Sequence, residues 1–173
     1  MKYILFLFSL LLTTSCCSKK RNLLENKDQS SGFVCPNNGE CSLTIIENKG
    51  LNLKLVNTDT IYEIIDNTEK TIVKYNYSVN QDQAIHDGSY AEEIIFEIEN
   101  KDYSENLIDE NLKKAKVFYR RFCACRGKTG LKLLSKGHLD ISNNKGSINL
   151  TLDFDCQETP QVTKTIKVIN GKL

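Results

Sequence analysis

The chain has 173 residues, 40% hydrophobic and 26% charged, a size and balance that suit one globular domain and leave little room for two. Its net charge is +1, and loss of Lys2 with a leader takes the 23 basic residues to 22, equal to the 22 acidic ones. That neutrality gives no support to electrostatic nucleic-acid binding, which needs an excess of Lys and Arg, and the absence of tryptophan weakens any reading as an aromatic stacking platform.

The chain begins with Lys2, an apolar run over 3–12, and the small or polar residues Thr13, Thr14 and Ser15 ahead of Cys16 and Cys17. A charged start, a short apolar stretch and a small-residue cleavage zone make an export signal. The apolar run is about half the ~20 residues of a spanning helix, so it predicts a cleaved leader and not a permanent span. With a cysteine at the cleavage point, the segment resembles the signal of bacterial lipoproteins. That resemblance implies a diacylated Cys16 as the mature first residue; Cys17 would put Thr14 and Cys16 at the two specificity positions, a poorer fit. Several acyl chains on one residue supply the multiple anchors that stable membrane attachment needs. The expected division is a signal peptide over 1–15, a lipidated N-terminus and flexible tether over 16–32, and a β domain over 33–173.

Residues 18–32 are polar and without sustained periodicity, so they predict a tether with a reach of about 20 Å. Lys19, Lys20 and Arg21 lie beside the anchor, where they can meet anionic head groups or simply solvate the linker. From Phe33 onward the apolar period is two. Short strands are predicted over 42–46, 51–55, 60–64, 71–79, 93–98, 116–122, 131–134, 138–141, 147–154 and 162–169. Asn143-Asn144-Lys145-Gly146 is a tight-turn composition, so 138–154 predicts a hairpin. Only 104–114 reads as helical, with Ser104 as cap and Leu107, Ile108 and Leu112 on one face. The fold class is therefore mainly β: a single antiparallel β-sandwich or partly closed barrel, with about nine strands and one short helix.

Seven cysteines in an exported chain predict disulfides. Cys35-Pro36-Asn37-Asn38-Gly39-Glu40-Cys41 has turn residues between its ends and is shaped for a local bridge. In Cys123-Ala124-Cys125, an extended backbone would point both thiols to one face. One of them can bridge to Cys156 and staple two distant strands, and a strained Cys123–Cys125 bridge is the alternative. A thiol-redox or metal site on Cys123, Cys125 and Cys156 is the less favoured functional reading, because no βαβ pattern and no zinc-type C-x₂-C spacing accompanies them.

Two histidines, His86 and His138, sit in polar surroundings that read as a surface turn and a wet hairpin start. No G-x-S-x-G elbow or H-E-x-x-H pair occurs, and Gly127-Lys128-Thr129 lacks the earlier glycine of a phosphate loop, with Phe122 in its place. The densest group of capable side chains is Tyr119, Arg120, Arg121, Arg126 and Lys128 around the C-x-C segment. It predicts a binding patch, since Arg and Tyr favour interfaces, against the plainer reading of a charged edge that resists aggregation.

Cys35 to Cys41, Phe122-Cys123-Ala124-Cys125-Arg126-Gly127-Lys128-Thr129-Gly130 and Thr159-Pro160-Gln161-Val162 together resemble a group of small bacterial lipoproteins. The resemblance implies a cell-envelope location and no particular activity. The expectation is a non-enzymatic, membrane-anchored lipoprotein of the outer membrane or the periplasm-facing inner membrane. Its disulfide-braced β domain would bind an envelope protein, with no cofactor, metal or nucleic acid. An inhibitor of an envelope hydrolase is the alternative.

Overall fold

The computed structural model describes residues 34–79, 89–124, 129–144, 146–157 and 159–172. Among them run β1 (Gly39–Val56), β2 (Asp59–Val79), β3 (Ala91–Glu99), β4 (Tyr103–Ile108), a 3₁₀ helix (Asp109–Ala115), β5 (Phe118–Phe122), β6 (Gly130–Leu133), β7 (Gly137–Asn144), β8 (Ser147–Phe154) and β9 (Thr165–Lys172). Two antiparallel sheets result, ordered β1-β2-β3-β5-β6 and β4-β7-β8-β9. Neither closes on itself, which resolves the sequence expectation in favour of the sandwich.

The alternation on β2 sends Val73, Tyr75 and Tyr77 into the space between the sheets. There they join Ile94, Phe96 and Ile98 of β3 and Leu139, Ile141, Leu150 and Leu152 of β7 and β8. Each such side chain contributes about 1.5–3 kcal/mol when fully buried. Leu112, Ala115 and Val117 belong to the same core. The expected hairpin over 138–154 is present as β7 and β8.

The expected helix over 104–114 is half strand. Residues 103–108 pair antiparallel with β7, and the helix starts only at Asp109. Leu107 inward and Ile108 outward satisfy a strand as readily as a helix, and a ladder on an open sheet edge satisfies more backbone. Asp109, at φ 49°, breaks the strand, and its carboxylate accepts the Gly137 N–H at 3.0 Å.

The first two pairs of predicted strands are each one long strand with a bend. The register runs from Glu47↔Thr71 to Lys49↔Asp66, so Asn48 alone opposes residues 67–70. Asn48 takes a left-handed φ of 58°, which asparagine tolerates. Asn100 holds the elbow: its Nδ2 donates to Asn48 Oδ1 at 2.8 Å and to the Thr68 carbonyl at 3.1 Å, and its Oδ1 accepts from Thr71 Oγ1 at 2.9 Å. Beyond the elbow the hairpin folds back over the outer face of the first sheet. Leu51 there closes a second small core with Ile72, Ile95 and Phe118, and Ile46, Tyr62 and Leu131 pack against it. Covered on both faces, β3 is buried from Glu92 to Ile98.

Candidate interaction surface and buried polar clusters

The strand period decides what becomes of the predicted patch. On β5, Tyr119 and Arg121 point into the sandwich and are buried, while Arg120 points to the opposite face beneath the folded-back hairpin. The sheet therefore separates residues that the sequence places side by side. Arg126 and Lys128 lie outside the described residues, as do Cys16, Cys125 and His86.

Arg120 belongs to a polar cluster under the hairpin. Its Nη2 donates to Glu93 Oε1 at 2.7 Å, and the guanidinium lies 5.2 Å from the Tyr62 ring centroid and 4.5 Å from that of Phe122. Glu93 also accepts from the Tyr62 hydroxyl at 2.9 Å and pairs with Lys74 at 2.8 Å. Burial, together with the Glu93 charge, raises the Tyr62 pKa, so its hydroxyl stays a donor. Four residues along β3, Glu97 accepts the Leu51 N–H at 2.9 Å and pairs with Lys116, whose Nζ also donates to the Leu51 carbonyl at 2.9 Å. These groups staple the hairpin to the sheet.

Glu92 anchors a second cluster inside the sandwich, with 1% of its surface exposed. Its carboxylate accepts from the Tyr90 and Tyr119 hydroxyls and from the backbone N–H groups of Val162 and Thr163, the last at 2.7 Å. Arg121 stands opposite Glu92 in the ladder and donates to the Pro160 carbonyl at 3.1 Å. Gln161 accepts the Cys156 N–H and donates to the Phe154 and Thr163 carbonyls. The β8–β9 connection is thus tied down from both sides. Desolvation pushes Tyr90 up to about 12 and Tyr119 higher still, and the Glu92 charge reinforces both shifts.

The Cys35–Cys41 bridge is present, with 5.7 Å between Cα atoms. The buried Tyr75 hydroxyl donates to Cys41 Sγ at 2.8 Å. Cys123 is disulfide-bonded, and Cys156 lies half-buried after β8, packed against the core that also receives Cys35 and Cys41. His138 is held by Asn106, whose Nδ2 lies 2.8 Å from His138 Nε2. No group of three or more metal-capable side chains occurs among the described residues, and no helix among them is long and apolar enough to cross a membrane.

The surface best shaped for a partner is one that sequence reading missed. Among the described residues β1 pairs only with β2, so its other edge is open. Past the elbow it carries exposed aliphatic side chains, Leu53 at 42%, Leu55 at 74% and Val56 at 45%, with Ile64 and Ile65 exposed across the hairpin. Leu51-Asn52-Leu53-Lys54-Leu55 was the available signal: its alternation marks an apolar face, and only the bend reveals that the face outruns what it covers. The buried carboxylates had a signal too, in three glutamates within the apolar run Glu92-Glu93-Ile94-Ile95-Phe96-Glu97-Ile98.

Comparison of the chain with protein-family models, with curated proteins and with solved structures returns no match.

Proposed function

We propose that the chain is a membrane-anchored lipoprotein of the bacterial cell envelope, fastened through Cys16, whose disulfide-braced β domain binds another envelope protein. The anchor rests on the leader: the apolar run over 3–12 and a cysteine after Ser15. The binding role rests on one observation, the open edge of β1 with Leu53 and Leu55 exposed past the elbow. An unpaired edge offers backbone donors and acceptors to an extended segment, and alternate side chains supply the selectivity of strand addition. Exposed aliphatic side chains grouped on one projecting hairpin mark an interaction site more strongly than scattered ones do.

The anchor is tested by metabolic labelling with an alkyne fatty acid. Label on the wild type and none on Cys16→Ala is expected; absence of label from the wild type, or its persistence in the variant, overturns the assignment. For the binding role, a photo-crosslinker at residue 55 should give a discrete adduct with one envelope protein. That protein, once purified, should slow amide exchange over residues 49–56, and Leu55→Asp should abolish the protection. Protection elsewhere, with 49–56 unchanged, removes this edge as the site.

A further inference from the structure

The Cys35–Cys41 disulfide has two chemically unequal sulfurs. Tyr75 rises from β2 inside the sandwich, 1% exposed, and its hydroxyl donates to Cys41 Sγ at 2.8 Å. Cys35, half-buried like Cys41, follows Val34, which is 75% exposed, and the one polar contact of its Sγ among the described residues is with the Gly39 carbonyl oxygen at 3.7 Å. In thiol–disulfide exchange the sulfur better stabilised as a thiolate is the better leaving group, and a hydrogen bond to a developing anion is worth more than one to a neutral atom.

We propose that this bridge is a directional reduction site for a protein dithiol: the incoming thiolate attacks Cys35, and Cys41 departs as a thiolate held by Tyr75. The first step forms a sulfur–sulfur bond between the reductant and Cys35 Sγ and breaks the Cys35–Cys41 bond, whose electron pair goes to Cys41 Sγ. In the second, the reductant's other thiol attacks its partner sulfur and releases Cys35. The dithiol ends as a disulfide, and its two protons end, through solvent, on Cys35 and Cys41. Burial pushes the Tyr75 pKa up to about 12, so the hydroxyl keeps its proton at neutral pH and can donate throughout.

The bridge closes the turn that leads into β1, whose first pairs are Gly39↔Val79, Glu40↔Ser78 and Cys41↔Tyr77. Once it opens, residues 36–38 keep the weak 3.5 Å contact from the Tyr77 hydroxyl to the Asn37 carbonyl, and Gly39 and Glu40 keep their ladder pairs with Val79 and Ser78 without the covalent tie behind them. Reduction therefore loosens the first rungs of the sheet's edge strand. This inference goes beyond the proposed binding role and does not depend on it or on the anchor.

The test uses the full chain, a single exposure to glutathione as probe, and a rapid N-ethylmaleimide quench followed by peptide mapping. The mixed disulfide should sit on Cys35, with the alkyl group on Cys41. Tyr75→Phe should slow reduction by dithiothreitol about tenfold, the loss expected for one hydrogen bond to a forming anion. Glutathione on Cys41, an even split, no reduction over hours, or an unchanged rate in a folded Tyr75→Phe protein each overturns the proposal. The mapping on wild-type protein decides the direction of attack even where the variant does not fold.

Discussion

Arg120 and Glu93 oppose each other across the β5–β3 ladder, and the guanidinium reaches the carboxylate at 2.7 Å from between two aromatic rings, Tyr62 above and Phe122 beside it. Tyr62 comes from the far half of the β1–β2 hairpin, so this ion pair is also where the hairpin docks. Arg120 Nε is buried with no hydrogen-bond partner, so the cluster satisfies the guanidinium incompletely and relies on its packing between rings.

Removing the carboxylate should therefore cost more than a surface pair would. Glu93→Ala leaves Lys74, Arg120 and the Tyr62 hydroxyl facing an uncompensated site, and is expected to destabilise the domain by about 3 kcal/mol. Urea unfolding reads this directly. A loss below about 1 kcal/mol would mean that water replaces the carboxylate without strain.

Glu92 governs a different element. Glu92→Gln keeps the volume but removes the charge and half of the acceptor capacity that four donors share. The Val162 and Thr163 amides should then exchange at least tenfold faster, with a stability loss of about 2–3 kcal/mol. Unchanged exchange at those two amides would show that Gln161 and Arg121 hold the connection without it.

Asn100→Ala removes three side-chain hydrogen bonds at the elbow, and a loss of about 1–3 kcal/mol is expected. The effect should be local. Amide exchange over 49–66 should rise before exchange in β7 and β8 does, because the main core does not depend on the fold-back.

Gly39 has no room for a side chain: a Cβ would sit 2.2 Å from Tyr77 Cε2 and 2.6 Å from the Ser78 carbonyl oxygen. Gly39→Ala must displace backbone at the start of β1, at a cost of about 2 kcal/mol, and the overlap falls beside the disulfide loop. The melting temperature of the oxidised protein measures it.

Alkaline pH should unfold the domain cooperatively. Burial raises Tyr75 and Tyr90 to about 12, and Tyr62, Tyr103 and Tyr119 are raised as well. Between pH 10 and 12 the unfolded chain releases phenol protons that the folded chain retains. Stability from these groups is thus complete below pH 10 and drains away as pH climbs through the folded values. Tyrosinate absorbance should lag behind a model tyrosine and then rise together with loss of β-sheet circular dichroism. Smooth titration near pH 10 with the sheet intact would contradict the burial.

Much of the architecture was legible because alternation and turn composition are local signals. The strands, the 138–154 hairpin and the Cys35–Cys41 bridge all follow from residues close in sequence. The elbow did not, since 42–46 and 51–55 read as two separate strands until Asn100, far along the chain, is seen to hold a bend within one. The described part of the predicted patch divides for a related reason. Tyr119, Arg120 and Arg121 are neighbours in sequence, yet a pleated strand assigns neighbours to opposite faces, and only knowledge that both faces are covered shows Arg121 to be buried and Arg120 half-buried. The buried glutamates stand out within an apolar run, but what holds them was hidden, because most of their partners, Tyr62, Tyr119, Val162 and Thr163, come from distant segments.

The fold-back at Asn48 has a consequence for how this domain can change. Its outer layer is an extension of two strands that already belong to the sandwich, joined at the Asn57–Thr58 tip, so it grows or shrinks by adding or deleting rungs there, two residues at a time. Shortening it would bare Ile72, Ile95 and Phe118 progressively while every connection elsewhere keeps its path, which makes hairpin length a dial for how much of that face meets the surroundings.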